Sequence, residues 1–176
     1  MLQSLFRPRQ SKAAASRLYA AVVAQARAPA FYTDLGAPDT IEGRFELYSL
    51  HVILLLHRMR GAGPNAADAA QALFDTYVSA LDNALRETGV GDLSVPRRMR
   101  RLGEAFYGRA KAFEAALGAE DLALEALIGR TVFAGVGDEG HVSAMASYVR
   151  RGIAGLAAQP LEVILGGDVA WPAPAA

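Results

Sequence analysis

Apolar residues recur along this chain at three- and four-residue steps almost throughout, with Gly and Pro standing between the periodic stretches. That spacing is the signature of amphipathic helices, and no stretch alternates as a half-buried strand does. The pattern predicts about six helices. The first spans Ser11 to Arg27 with Ser11 as N-cap and Leu18, Tyr19, Val22 and Val23 as its stripe. After a connection through Phe31 and Tyr32, a second begins near Asp39-Thr-Ile-Glu42, a capping-box-like spacing, and runs to Arg60 before Gly61. It is apolar on most sides, so it lies in the middle of the fold or offers one side to a partner.

A third helix spans Asn65, read as its N-cap, to about Thr88. A fourth starts at Ser94-Val-Pro96 and ends at Leu117, before Gly118. Two more are expected over Asp121–Phe133 and Glu139–Ala158, and the tail from Gln159 reads as a loosely specified end that touches the surface through Val163, Ile164 and Trp171. The fold class is all-α: one compact multi-helix domain without a β-sheet. Within that domain, residues 1–28 are a basic segment with the first helix, 29–118 are core helices, and 119–176 are C-terminal helices with a Pro/Ala-rich tail.

Composition changes this picture in two places. The chain has no cysteine, which removes disulfides, thiolate metal sites and cysteine nucleophiles together. No apolar run reaches the roughly 18 residues of a membrane span; the densest, Leu50 to Leu56, stops at His57-Arg58. Net charge is zero but uneven, since Arg7, Arg9, Lys12, Arg17 and Arg27 all precede the first acid, Asp34. With Leu5 and Phe6 as an apolar tip, Arg7, Arg9 and Lys12 form a candidate surface for an anionic membrane; a plain solvated start is the competing reading.

Catalytic chemistry is sparse. His51, His57 and His141 form no H-x-x-x-H pair, and His51 in its apolar helix reads as a hydrogen-bonded core residue. The acids are scattered, no nucleophile elbow surrounds a serine, and Gly-Val-Gly-Asp-Glu-Gly at 135–140 lacks the strand and the lysine of a phosphate loop. No metal and no cofactor is expected.

The strongest local feature is Arg97, Arg98, Arg100 and Arg101 on the fourth helix, with Arg109 and Lys111 beyond. A solvated basic face, internally paired with Asp75, Asp82 or Glu104, is the simplest account. Nucleic-acid binding is disfavoured by a pI near 6.8. Protein recognition is favoured: Asp92 and Leu93 sit in the preceding turn, and Arg97, Arg101 and Arg109 follow at helical steps of four and eight, with Arg98 beside them. Phe106 and Tyr107 lie one turn on, and Tyr48 and Leu55 are expected to approach from the second helix. Phe106 is the member of this set most suited to the core.

Residues Pro29-Ala-Phe-Tyr-Thr-Asp-Leu-Gly36, Asp39-Thr-Ile-Glu-Gly-Arg-Phe-Glu46, Gly89-Val-Gly-Asp-Leu-Ser-Val-Pro-Arg-Arg-Met-Arg100 and Ala105-Phe-Tyr-Gly-Arg109 resemble the ubiquinol–cytochrome c chaperone family. The resemblance is carried between Pro29 and about Leu117. It implies an assembly factor for the cytochrome bc complex: a non-catalytic protein without its own cofactor that attends newly made cytochrome b. A helper subunit is a candidate further partner that the sequence leaves open. Mitochondrial members carry long N-terminal extensions, so a short form suits the bacterial cytoplasm, resting on the inner membrane. An α-helical enzyme or a nucleic-acid-binding regulator with an unrecognised site is the alternative.

Overall fold

A computed structural model describes residues 3–87, 91, 94–118 and 121–174, with backbone alone for 3–12 and 121. The elements are α1 (Gln3–Ala26), α2 (Ala30–Thr33), α3 (Ile41–Met59), α4 (Pro64–Glu87), α5 (Val95–Leu117), α6 (Asp121–Thr131), α7 (Glu139–Ala158) and α8 (Leu161–Leu165). Every regular element among the described residues is a helix, as the periodicity demands. The count rises from six to eight because α2 and α8 are single turns, too short to show a period.

Helix α3 is the hub. Its N-cap Thr40 accepts by its hydroxyl from the Gly43 N–H at 3.0 Å, so the first turn is capped one residue after the Asp39 that opens the predicted Asp39–Glu42 spacing. From Leu47 to Leu55 every residue except Tyr48 is buried, so the helix that is apolar on most sides is indeed interior. Helices α1, α4 and α7 pack around it, and α6 bridges α5 to α7. Helix α7 runs parallel to α3: His51 meets Tyr148, and Arg58 Nε donates to the Leu156 carbonyl at 2.8 Å. Helix α4 returns antiparallel after a short loop and joins α3 through the hydroxyls of Ser49 and Tyr77, 2.7 Å apart. Helix α5 then crosses back, laying Phe106 on Tyr77 with centroids 5.1 Å apart.

Several ends differ from the expectation. Helix α1 begins at Gln3 and passes through Pro8, so Ser11 is interior; the reading halted at a residue that breaks most helices. Helix α4 starts at Pro64, whose fixed φ and missing N–H suit the first helical position, so Asn65 is not its N-cap. Ser94 precedes α5 but forms no side-chain cap bond.

The tail corrects a larger expectation. It is a strap tied down along its length. Ile164 of α8 is fully buried, and Gln159 clasps Ala170 twice, by Nε2 to the carbonyl at 2.9 Å and by Oε1 from the N–H at 2.8 Å. Gly167 has φ +96°, and a Cβ there would strike the Arg17 side chain, so only glycine lets the strap turn there. Trp171 then stacks edge-on over His51 with centroids 5.0 Å apart.

Candidate functional site

The arginine-bearing helix α5 carries six basic side chains against two acidic ones, in a chain of zero net charge. Four of the arginines fall in its first two turns, where no acid is present. Cations there oppose the helix dipole, so local helix stability does not explain them. Arg97, Arg98 and Arg101 are exposed, and among the described residues none has an ion-pair partner. Of the acids expected to neutralise this face, Glu104 alone meets one of its arginines among the described residues, and Asp75 and Asp82 are engaged elsewhere. Asp82 pairs with Arg86 at 2.7 Å, Glu104 lies 3.7 Å from Arg100, and Asp75 accepts from Gln71 at 2.8 Å.

Arg109 leaves this face. Its guanidinium makes a two-pronged contact with the Glu46 carboxylate on α3 and lies 5.6 Å from the Phe45 ring centroid. Each four-residue step overshoots a helical turn by about 40°, so over the three steps from Arg97 the side chain has rotated towards α3. Treating steps of four and eight as one face hid that drift. Burial pushes the Glu46 carboxyl upward, and the hydrogen bonds and charge of Arg109 pull it back. The pair borders a void of about 20 Å³ lined by Leu50, Ile53, Phe113 and Ile128.

Two further expected surface residues belong to the core. Leu55 is 0% exposed, because α3 is enclosed on all sides there, and Phe106 is 2% exposed against Phe74 and Tyr77. Phe106 therefore supports α5 from beneath. Its neighbour Tyr107 is 63% exposed and lies tilted against Phe74, centroids 5.6 Å apart. Tyr48 turns towards α1, where its hydroxyl accepts from Arg27 Nε at 2.6 Å, so it does not join the arginines. Asp92 and Leu93 lie outside the described residues, as do the side chains of Leu5, Phe6, Arg7, Arg9 and Lys12.

The sequence reading missed an open groove between α5 and α6. Ala105, Gly108 and Ala112 of α5 form one wall, Leu127, Arg130 and Thr131 of α6 the other, and Arg109 lies along it. The signal was present: the small residues Ala105, Gly108 and Ala112 recur at three- and four-residue steps, on a face distinct from that of Phe106 and Phe113. Gly108 costs the helix interior about 1 kcal/mol relative to Ala. A Cβ built on it would meet nothing within 4 Å, whereas one on Gly43 would strike the Pro38 carbonyl.

His51 has no part in this surface. It is buried, with Nδ1–H donating to the Leu47 carbonyl at 2.7 Å. Its Nε2 therefore accepts from the Tyr148 hydroxyl at 2.7 Å, which in turn accepts from Gln25 Nε2 at 3.0 Å. Burial lowers the imidazole pKa to about 4, partly offset by the Leu47 bond. His57 shares Glu114 with Arg60, and His141 pairs with Asp138, the residue that caps α7. No group of three or more His, Asp or Glu suited to a metal occurs among the described residues.

The fold and site define an all-helical protein that presents an exposed cationic helix beside an open, small-walled groove. The comparisons give that class its family. The ubiquinol–cytochrome C chaperone model matches residues 33–171, and the chain belongs to that family. The match continues well past Leu117, where the resemblance read from the sequence ends.

Among relatives, the human ubiquinol-cytochrome c reductase complex assembly factor 1 is 26% identical over 91% of this chain and 54% of its own length. The Xenopus laevis protein of that name is 24% identical over 91% of this chain and 81% of its own. This chain thus spans about half of the human relative. The crystal structure of the Cbp3 homolog from Brucella abortus superposes with a TM-score of 0.87 at 36% identity, covering 99% of this chain and 98% of that one. No helix among the described residues is long and apolar enough to cross a membrane.

Proposed function

We propose that this chain is a non-catalytic assembly chaperone that holds newly made cytochrome b during biogenesis of ubiquinol–cytochrome c reductase, at the cytoplasmic face of a bacterial inner membrane. The family and the names of its relatives support the reductase complex as the setting. The observation that carries the binding role is the row of exposed arginines at the start of α5, Arg97, Arg98 and Arg101, without ion-pair partners among the described residues and placed against the helix dipole. A client built of transmembrane helices presents apolar segments and charged connections. Arg97, Arg98 and Arg101 supply cations for the connections, and Tyr107 supplies an exposed ring.

Capture by the tagged full chain from detergent-solubilised membranes tests this. Cytochrome b should be enriched, and the double change Arg97→Glu, Arg101→Glu should reduce capture at least tenfold, about 1.4 kcal/mol of binding. The melting temperature should hold, since neither arginine has an ion-pair partner among the described residues. Undiminished capture by the folded variant would remove this face from the reading. Enrichment of nucleic acid or a soluble metabolite in place of a reductase subunit would favour a regulator or an enzyme instead.

The reading includes peripheral attachment through Leu5, Phe6, Arg7, Arg9 and Lys12, each basic residue worth about 1 kcal/mol at an anionic surface. Binding to anionic vesicles should fall with salt and with deletion of residues 1–10. Equal binding by the truncated chain would refute the attachment.

A further inference from the structure

We propose that the groove between α5 and α6 receives a helix of the client, packed closely over Gly108 and carrying acidic side chains that reach the groove's cationic rim. This rests on the client-binding reading above and specifies the chemistry of its contact.

The charge pattern names the occupant. Described acids on and beneath α5 are engaged: Glu46 by Arg109, Glu104 by Arg100, and Glu114 by His57 and Arg60. Apart from Arg109, the cations around the groove are not. Arg130 lines it, Lys111 lies on the same stretch of α5, and Arg97 and Arg101 continue the row towards the start of that helix. Among the described residues none of these four has an ion-pair partner. A docking segment that completes this surface therefore brings carboxylates with it.

The shape names its form. Ala105, Gly108 and Ala112 make a low ridge, and Leu127 gives the facing wall an apolar contact. Two adjacent helices present a furrow that a third helix fills, and small residues on the ridge let its backbone approach closely. The fold offers no reason of its own for Gly108, since alanine would fit in open space and favour the helix. Gly103 is equally unconstrained by its own chain but does not line the groove. A helix-interior glycine alone therefore does not mark the site; its conjunction with the groove and the unpaired rim does.

Gly103 also supplies the control. A photoreactive residue is placed at Ala112, and separately at Gly103, in the full chain expressed in cells. Crosslinked partners are identified by mass spectrometry, with and without Gly108→Leu or Gly103→Leu. From position 112 the expected product is a crosslink to an acid-bearing helical segment of a reductase subunit. Gly108→Leu should weaken it at least tenfold while leaving the melting temperature unchanged or higher, and Gly103→Leu should leave it intact. That opposition between binding and stability is not produced by a change that merely damages the fold.

Co-purification of a reductase subunit without a crosslink from position 112 would overturn the groove and leave the client reading standing. A crosslink to an acidic helix of an unrelated protein would keep the groove and overturn the client. A crosslink to a second copy of this chain, to nucleic acid or to lipid would overturn the proposal, and neither crosslink nor co-purification would overturn both readings.

Discussion

His51 is held neutral by its surroundings. Its buried ring bonds at both nitrogens, donating to the Leu47 carbonyl and accepting from Tyr148, so protonation would both charge the core and displace the hydroxyl's proton. Its pKa falls to about 4 in the folded chain, against about 6.5 when unfolded. Between those pH values the unfolded state binds the extra proton, so His51's contribution is intact above pH 6.5 and is lost as pH falls towards 4, by about 3 kcal/mol in all. His51→Gln should be less stable than wild type near neutrality, yet lose stability less steeply below pH 6.5, by about 1.4 kcal/mol per pH unit. Urea denaturation at pH 6.5 and 4.5 measures both slopes, and equal slopes would show that His51 does not resist protonation. The core role was legible because a lone His among Leu and Val needs internal partners, although Tyr148 lies too far along the chain for any local pattern to name it. Arg109 was misplaced for the opposite reason: its local pattern was clear, but helical drift turned it to a buried acid that only the tertiary fold supplies.

Helices whose ends are written in side-chain chemistry were the most readable elements. Asp138 accepts from the His141 N–H at 3.0 Å, and α7 spans the Glu139–Ala158 that the spacing gives. Thr40 does the same for α3. Where an end depends on what surrounds it, the sequence was silent. Helix α2 is one turn inside a connection, with Phe31 pressed edge-on against Tyr148, centroids 4.8 Å apart; this anchoring gives it order that four residues could not give themselves. Helix α3 shows the limit of periodicity from another side. A helix apolar all round does not declare which flank is outward, and in the fold Leu55 is enclosed while Ile41 is 77% exposed at the first turn. Helix α5 was assigned its binding role from its charges, but the groove needs α6 as its second wall, and nothing in either helix alone announces their pairing.

At the scale of the whole molecule, the last turn of α1 and the C-terminal strap meet over α3 and α7. Gln25 from α1 donates to the Tyr148 hydroxyl and to the Pro172 carbonyl, each at 3.0 Å, while Trp171 stacks on His51. Four distant stretches thus share one buried polar network, and a tail rich in Pro, Gly and Ala gains its order from that network. The joint has one flaw: the Trp171 indole N–H is buried with no hydrogen-bond partner among the described residues. An orphaned donor costs about 1–3 kcal/mol in lost hydration, which the stacking of the ring must exceed for the strap to stay down. The two contributions separate by substitution. Trp171→Phe keeps an aromatic face over His51 and removes the orphan donor, so its stability should lie within about 1 kcal/mol of wild type, lost area offset by lost desolvation. Trp171→Ala removes the ring and uncovers His51, and should cost about 2 kcal/mol, less than a fully buried Trp because the residue is only half-buried. Denaturant titration of both variants at neutral pH decides between a strap held by its ring and one held by its backbone bonds to Gln25 and Gln159. If both variants stay within about 1 kcal/mol of wild type, the backbone bonds alone hold the tail; if both lose about 2 kcal/mol, the indole N–H has a partner in solution.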